Sequence, residues 1–273
     1  MKAAIDFGIS NTDIAILNND DLSFYSLPSK KNTLNCLSIK EIFSQLNIPL
    51  ESINLIGVTG GKSSDLDDLM GGIKIVKINE IDAIGLGAKK LYGIGDESTL
   101  VVSAGTGTAC VHIKGDDFNH LGGIAVGGGM LEGLGSLLFK NSKGYEINEF
   151  ANKGSRAELD ILIGDVVNKI GKLSPEITAV NFGQAKNTSA DTMENTAAAL
   201  CNMIGEVIGT VAYLNALLVG SDKACFIGRT SYLSVIIEGV NERLKLAGIK
   251  GQYSDNREYG NVIGVIESIK AHS

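Results

Sequence analysis

Two glycine-rich stretches decide the fold of this chain: Ser103-Ala104-Gly105-Thr106-Gly107-Thr108, and Gly122-Gly123 followed by Gly127-Gly128-Gly129-Met130. The first lies between two apolar runs, residues 99–102 and 109–113, and so reads as the tip of a strand hairpin. The second is read as a connection, residues 122–129, that leads into a helix over 130–139. Glycine lets backbone N–H groups approach an anion with no Cβ in the way. Threonine and serine add hydroxyl donors, and a helix N-terminus adds the positive end of its dipole.

Working outward, the same order of elements occurs earlier in the chain. An apolar strand at 2–7 runs into Asp6-Phe7-Gly8-Ile9-Ser10-Asn11-Thr12. Strands at 12–17 and 22–27 follow, separated by the turn former Asn18-Asn19-Asp20-Asp21. Apolar spacing predicts a helix over 33–46, strands at 53–58 and 73–78, and a helix over 83–91, with Asp82 as its N-cap. Beyond the second hairpin come a helix near 157–169, a long helix after Asp191, a strand at 223–227, a helix over 232–246 and a closing strand–turn–helix. A hairpin followed by alternating helices and strands, occurring twice, implies two α/β halves with a cleft between them. The division expected is 1–96 and 97–273.

Composition narrows the function. The chain has 273 residues, 44% of them hydrophobic and 20% charged, enough for a packed core and unlike a disordered polymer. With 24 basic against 31 acidic residues the net charge is −7, and no basic cluster stands against it. Nucleic acid and anionic membrane are therefore poor partners. The four cysteines, Cys36, Cys110, Cys201 and Cys225, are widely spaced in apolar surroundings and are read as buried thiols. The most apolar run, near 197–219, is interrupted by Asn202, Glu206 and Asn215, which fits a buried amphipathic helix better than a membrane span. The N-terminus enters a strand pattern at once, so a cytoplasmic location is expected.

Three glycine turns after strands, one carrying a carboxylate at its strand end, fit a triphosphate site: 6–12, 105–108 and 127–129. Asp6 is of the kind that holds Mg²⁺ through its waters, because a hard cation takes oxygen ligands. There is no GxxxxGK[ST] element, and 127–129 lacks the Rossmann context.

Taken in order, Asp6-x-Gly8, Thr59-Gly60-Gly61, Glu80-x-Asp82-Ala83, the two glycine stretches, Glu132-Gly133-Leu134-Gly135, Asn181-Phe182-Gly183, Ile227-Gly228 and Gly260…Gly264 resemble the bacterial type II pantothenate kinases nearly end to end. These belong to the superfamily of acetate and sugar kinases, Hsp70 and actin. The resemblance implies two actin-like (ribonuclease H-like) halves around a nucleotide cleft, and transfer of the ATP γ-phosphate to pantothenate with Mg²⁺. It also implies a homodimer. On this resemblance Glu80 is the general base. Asp6, Gly8, Ser10, Asn11, Thr12, Thr106, Gly107 and the amides of Gly127, Gly128 and Gly129 hold the phosphates and metal. Gly228 and Arg229 lie where the family contacts the base region of the nucleotide.

Two departures remove positive charge. The family's first turn carries a second glycine, a threonine and a lysine where this chain has Ile9, Ser10 and Asp13, and its arginine before the Gly-Gly pair is His120 here. A histidine lacks the bidentate fork of arginine and is charged only at lower pH. His120 is retained as a catalytic candidate beside Glu80, with Lys62 and Arg229 as candidate replacement cations. Other readings are a kinase for another hydroxylated acceptor and a nucleotide-binding sensor without kinase activity. Dispersed cysteines weigh against an iron–sulfur ATPase activator, and a missing Cys/His zinc cluster against a sugar kinase.

Overall fold

A computed structural model describes residues 1–30, 34–61, 63–168, 174–187 and 189–270. Its first half runs β1 (Lys2–Phe7), β2 (Asn11–Asn18), β3 (Asp21–Pro28), α1 (Cys36–Gln45), β4 (Leu55–Thr59), β5 (Leu69–Met70), β6 (Ile73–Lys77) and α2 (Glu80–Tyr92). The second half runs β7 (Thr99–Ala104), β8 (Thr108–Lys114), β9 (Asp117–Ile124), α3 (Gly128–Phe139), α4 (Gly144–Ala151), β10 (Ile161–Leu162), α5 (Ile163–Val166), β11 (Thr178–Val180), α6 (Met193–Val219), β12 (Lys223–Ile227), α7 (Ser234–Leu246), β13 (Lys250–Gln252) and α8 (Gly260–Lys270).

Each half is built on one sheet. The first has strand order β3-β2-β1-β4-β6-β5, the second β13-β12-β7-β8-β9. In both, an antiparallel meander is extended by parallel strands. β1 pairs with β4 and β4 with β6 in parallel, as β7 does with β12 and β12 with β13. Parallel pairing needs crossovers: helices lie in the β1–β4, β7–β12 and β12–β13 connections, whereas β4 reaches β6 by way of β5, and apolar strands such as Ala3-Ala4-Ile5 are buried on both faces.

Helix α8 crosses back to the first sheet, where Val262, Val265, Ile266 and Ile269 pack on Ala4, Ala15 and Leu55. Helix α2 covers the second sheet through Ile84 and Ala88 against Val101, Val111 and Cys225. The two helices lie against each other between the lobes. A Cβ on Gly87 would overlap the Gly260 carbonyl, and one on Gly264 would overlap the Ala83 carbonyl, so the helices approach backbone to backbone.

Several expectations are corrected. Helix α2 begins at Glu80, three residues earlier than its apolar spacing suggests. Its N-cap is Asn79, whose Oδ1 accepts from Ile81 N at 2.8 Å, and Asp82 lies exposed in the first turn. Residues 122–124, expected in the glycine-rich connection, are the end of strand β9 (Asp117–Ile124), whose start the sequence did not mark. As an edge strand with a polar face, Asp117-Phe118-Asn119-His120 carries no apolar run to announce it. The helix expected near 157–169 is instead a 3₁₀ turn at Arg156–Glu158, strand β10 and the single turn α5, with 169–173 outside the described residues. There the backbone pairs with β11, and buried Asp160 accepts from Phe182 N at 2.8 Å. Burial pushes the Asp160 carboxyl up to about 6.

Helix α6 is long and apolar enough to cross a membrane, yet Leu200, Cys201, Ile204 and Ile208 lie in the core of the second half. All four cysteines are free, with Cys110, Cys201 and Cys225 buried and Cys36 half-buried.

Candidate functional site

A cleft of about 1180 Å³ opens between the lobes, at the ends of β1, β4, β7 and β12 and the starts of α2, α3 and α8. Every one of these junctions is a strand end or a helix N-terminus, where backbone N–H groups are left over for a ligand. The β1–β2 turn brings Gly8, Ser10 and Asn11, the β7–β8 turn brings Thr106 and Gly107, and α3 brings Gly128 and Gly129. Ser10 Oγ and Thr106 Oγ1 lie 2.9 Å apart, so the tips of the two hairpins, one from each half, meet across the cleft.

The third turn works differently from expectation. Gly128 N donates to Gly105 O at 2.8 Å and Gly129 N to Thr106 O at 2.9 Å. These amides are engaged with the neighbouring turn. A Cβ on Gly127 would come within 2.8–2.9 Å of the carbonyls of Gly105, Thr106 and Gly107. The glycines at 127–129 therefore allow one turn to stack on another, and Gly127 itself lies behind the cleft lining. Thr230, which the sequence did not single out, joins this stack by donating to Gly105 O at 2.7 Å.

Asp6 sits at the cleft floor. Its Oδ2 accepts from Asn261 Nδ2 at 2.9 Å, and Gly60, at φ +73°, lies so close to Oδ1 that a Cβ there would overlap it. Burial pushes the Asp6 carboxyl up to about 7. The charges of Asp13 and Glu80 act in the same direction, and the Asn261 hydrogen bond and Arg229 oppose them. Such a carboxylate gains from an added cation. Among the described residues no group of three or more acidic, histidine or cysteine side chains could hold a metal ion alone. Asp6 therefore fits Mg²⁺ arriving with phosphate oxygens and water rather than a resident ion in a protein cage.

Glu80, the first residue of α2, is exposed to the cleft and forms no hydrogen bond or ion pair among the described residues. Thr12 is buried beneath the first turn, its Oγ1 3.1 Å from Ser29 Oγ, and lines an adjoining cavity of about 360 Å³ instead of the main cleft. His120 stands apart. It is exposed on β9 opposite Val111 and is not among the residues lining the cleft. Lys62 lies outside the described residues.

The charge problem posed by Asp13 is answered by Arg229. Arg229 Nη1 donates to Asp13 Oδ2 at 2.6 Å and Nη2 to Asp13 Oδ1 at 2.7 Å, with Ser26 Oγ 3.1 Å from Nη2. No local pattern links residues 216 positions apart, so the sequence could offer Arg229 only as a candidate. The described cleft lining holds five carboxylates (Asp6, Asp13, Glu80, Glu132, Glu258) and two cations, Lys143 and Arg229. Both cations are engaged: Lys143 is paired with Glu146 at 2.8 Å, as Arg229 is with Asp13.

The family model called Fumble matches residues 96–235. A type II pantothenate kinase of Bacillus anthracis is 32% identical over 198 residues, covering 69% of this chain and 70% of that protein. A type II pantothenate kinase of Staphylococcus epidermidis is 27% identical over 273 residues, covering 97% and 99%. Among solved structures, the activator of 2-hydroxyisocaproyl-CoA dehydratase from Clostridium difficile, with bound ADPNP, superposes with TM-score 0.67 at 13% identity, covering 99% and 96%. A ROK family glucokinase from Streptomyces griseus, in complex with glucose and AMPPNP, gives 0.62 at 10% identity, covering 99% of each chain. At these identities the structural likenesses establish the fold alone, that of actin-like kinases and ATPases with a nucleotide cleft.

Proposed function

This chain belongs to the Fumble family, to which type II pantothenate kinases belong, and on that premise we propose that it transfers the γ-phosphate of ATP to the primary hydroxyl of pantothenate, yielding 4'-phosphopantothenate for coenzyme A synthesis. The observation that carries the reading is Glu80, a carboxylate unpaired among the described residues, in the same cleft as the phosphate-facing turns. The acceptor oxygen attacks the γ-phosphorus as the bond to the β,γ-bridging oxygen breaks, ADP leaves, and the hydroxyl proton passes to Glu80. Ser10, Asn11, Thr106 and Gly107 face the phosphates, and Gly228 and Arg229 flank the nucleotide. Asp6 would hold Mg²⁺, which when bound neutralises phosphate charge.

One observation favours a second reading within the same chemistry. Pantothenate carries a carboxylate, and both cations in the described lining are already paired while His120 lies outside it. An acceptor without that carboxylate suits the cleft as well. ADP release with ATP and Mg²⁺ against a panel of pantothenate, pantetheine and simple hydroxylated acids and sugars separates the two. Turnover with pantothenate is expected. Turnover only with an uncharged acceptor moves the assignment to that acceptor, and ATP binding with no turnover moves it to a sensor.

A homodimer in the cytoplasm completes the proposal. Leu214, Leu217 and Leu218 leave α6 exposed at 52%, 55% and 75% after its other side has filled the core, an apolar strip suited to a second copy. Light scattering after size exclusion is expected to give the mass of two chains, and the mass of one chain rejects the dimer.

A further inference from the structure

Asp13 and Arg229 belong to different lobes and meet across the cleft. Asp13 is on β2, directly opposite Asp6 in the β1–β2 ladder, which places two carboxylates side by side at the cleft floor. Arg229 follows β12, and its backbone is fixed on both sides. Gly228 N donates to Arg257 O at 2.9 Å, and Thr230 Oγ1 holds Gly105 O on the phosphate-facing turn. The guanidinium therefore hangs from the wall of the phosphate region. Its position is set by both Asp13 oxygens, by Ser26 Oγ and by the Tyr259 ring, 5.6 Å from Cζ and itself stacked on Phe24. Asp13 is nearly buried, at 9% side-chain exposure, whereas Arg229 retains 37% and lines the cleft. Among the described residues three of its five N–H groups are used, on Asp13 and Ser26, which leaves two for a ligand.

We propose that Asp13 is a positioning residue that holds Arg229 as the cation facing the phosphates of the nucleotide, the pair acting as one unit in place of a lone cation on the first turn. This rests on the nucleotide-binding part of the kinase reading, not on the identity of the acceptor. Each member makes sense only with the other. Without Arg229, Asp13 is an unscreened carboxylate next to Asp6 and repels a triphosphate. Without Asp13, the guanidinium loses the fork that aims it, although the site gains net positive charge.

The test is calorimetric binding of a non-hydrolysable ATP analogue with Mg²⁺ to the full chain. Arg229→Ser is expected to weaken binding at least about ten-fold, because a charged donor to the phosphates is lost and Asp13 is left unscreened beside Asp6. Asp13→Asn alone is expected to weaken it about three-fold through loss of aim, yet on the Arg229→Ser background the same change tightens binding, because a repelling carboxylate disappears. Asp13→Lys combined with Arg229→Ser recovers most of the parent affinity by returning a cation to the start of β2. A merely structural ion pair would not produce this reversal of sign. Tighter or unchanged binding in Asp13→Asn alone overturns the proposal, as does parent-like binding in Arg229→Ser. Should Arg229→Ser fail to fold, Arg229→Gln carries the same comparison. A chain that binds the analogue as described but phosphorylates no acceptor sinks the kinase reading and leaves the pair's role standing.

Discussion

Replacing Glu80 by glutamine is expected to reduce phosphate transfer by about 10²–10⁴-fold while leaving affinity for a non-hydrolysable ATP analogue within about two-fold. The amide keeps the size and most of the polarity of the carboxylate, and it cannot accept the hydroxyl proton. Glu80 carries no structural bond among the described residues, so little else changes. Its one structural service is a negative charge in the first turn of α2, worth about 0.3–1 kcal/mol, and Asp82 in the same turn supplies another. Single-turnover transfer and thermal unfolding measured together separate the roles. A variant that transfers phosphate at the parent rate removes Glu80 as the base, whatever its stability.

The second large effect is expected where α8 meets α2, about one turn along each helix from the cleft residues Asn261 and Glu80. Gly264→Ala sets a methyl group against the Ala83 carbonyl and 2.7 Å from Gly87 N. Both are backbone atoms, so no rotamer change relieves the overlap, and α8 must withdraw from α2. A loss of about 3 kcal/mol or more is expected, seen as a drop of several degrees in unfolding temperature. Gly133→Ala in α3 is the control, because a Cβ there meets nothing within 4 Å and the residue is exposed. Relieving the entropy cost of a helical glycine stabilises by about 0.5–1 kcal/mol. Two helical glycines thus respond with opposite sign, and equal responses would show that the α2–α8 approach does not constrain the fold.

Legibility in the sequence followed burial. Strands β1, β2, β4, β7 and β12 are apolar on both faces or nearly so, and each was readable as a run bounded by turn residues. Strand β9 was not, since its sequence Asp117-Phe118-Asn119-His120-Leu121-Gly122-Gly123-Ile124 holds no apolar run, whereas β3, at the other sheet's edge, was read from Leu22–Leu27. The stretch after Ala157 has helical spacing that tertiary pairing overrides: once Ile161 and Leu162 join β11, no helix can continue through them.

Of the cleft-lining residues, Asp6, Ser10 and Thr106 were named from their own strand ends and turns, and Glu80 from the family resemblance. Residues that act through a distant partner were not. Asn261 is identified only by its hydrogen bond to Asp6, Thr230 by its bond to Gly105, and the screening of Asp13 by an arginine 216 positions away. The Gly127–Gly129 run was legible as a tight approach. The approaching group, however, is the carbonyls of a neighbouring turn. Composition cannot tell those oxygens from the oxygens of a phosphate.

The proposed kinase reaction brings ATP, an acceptor hydroxyl and Glu80 together in one cleft. Its most direct test follows the label from γ-labelled ATP in the presence of pantothenate and Mg²⁺, with the parent chain and Glu80→Gln side by side. Label in phosphopantothenate from the parent, and almost none from the variant despite bound nucleotide, is the predicted result. Equal labelling by both chains, or label released only as inorganic phosphate, would contradict it.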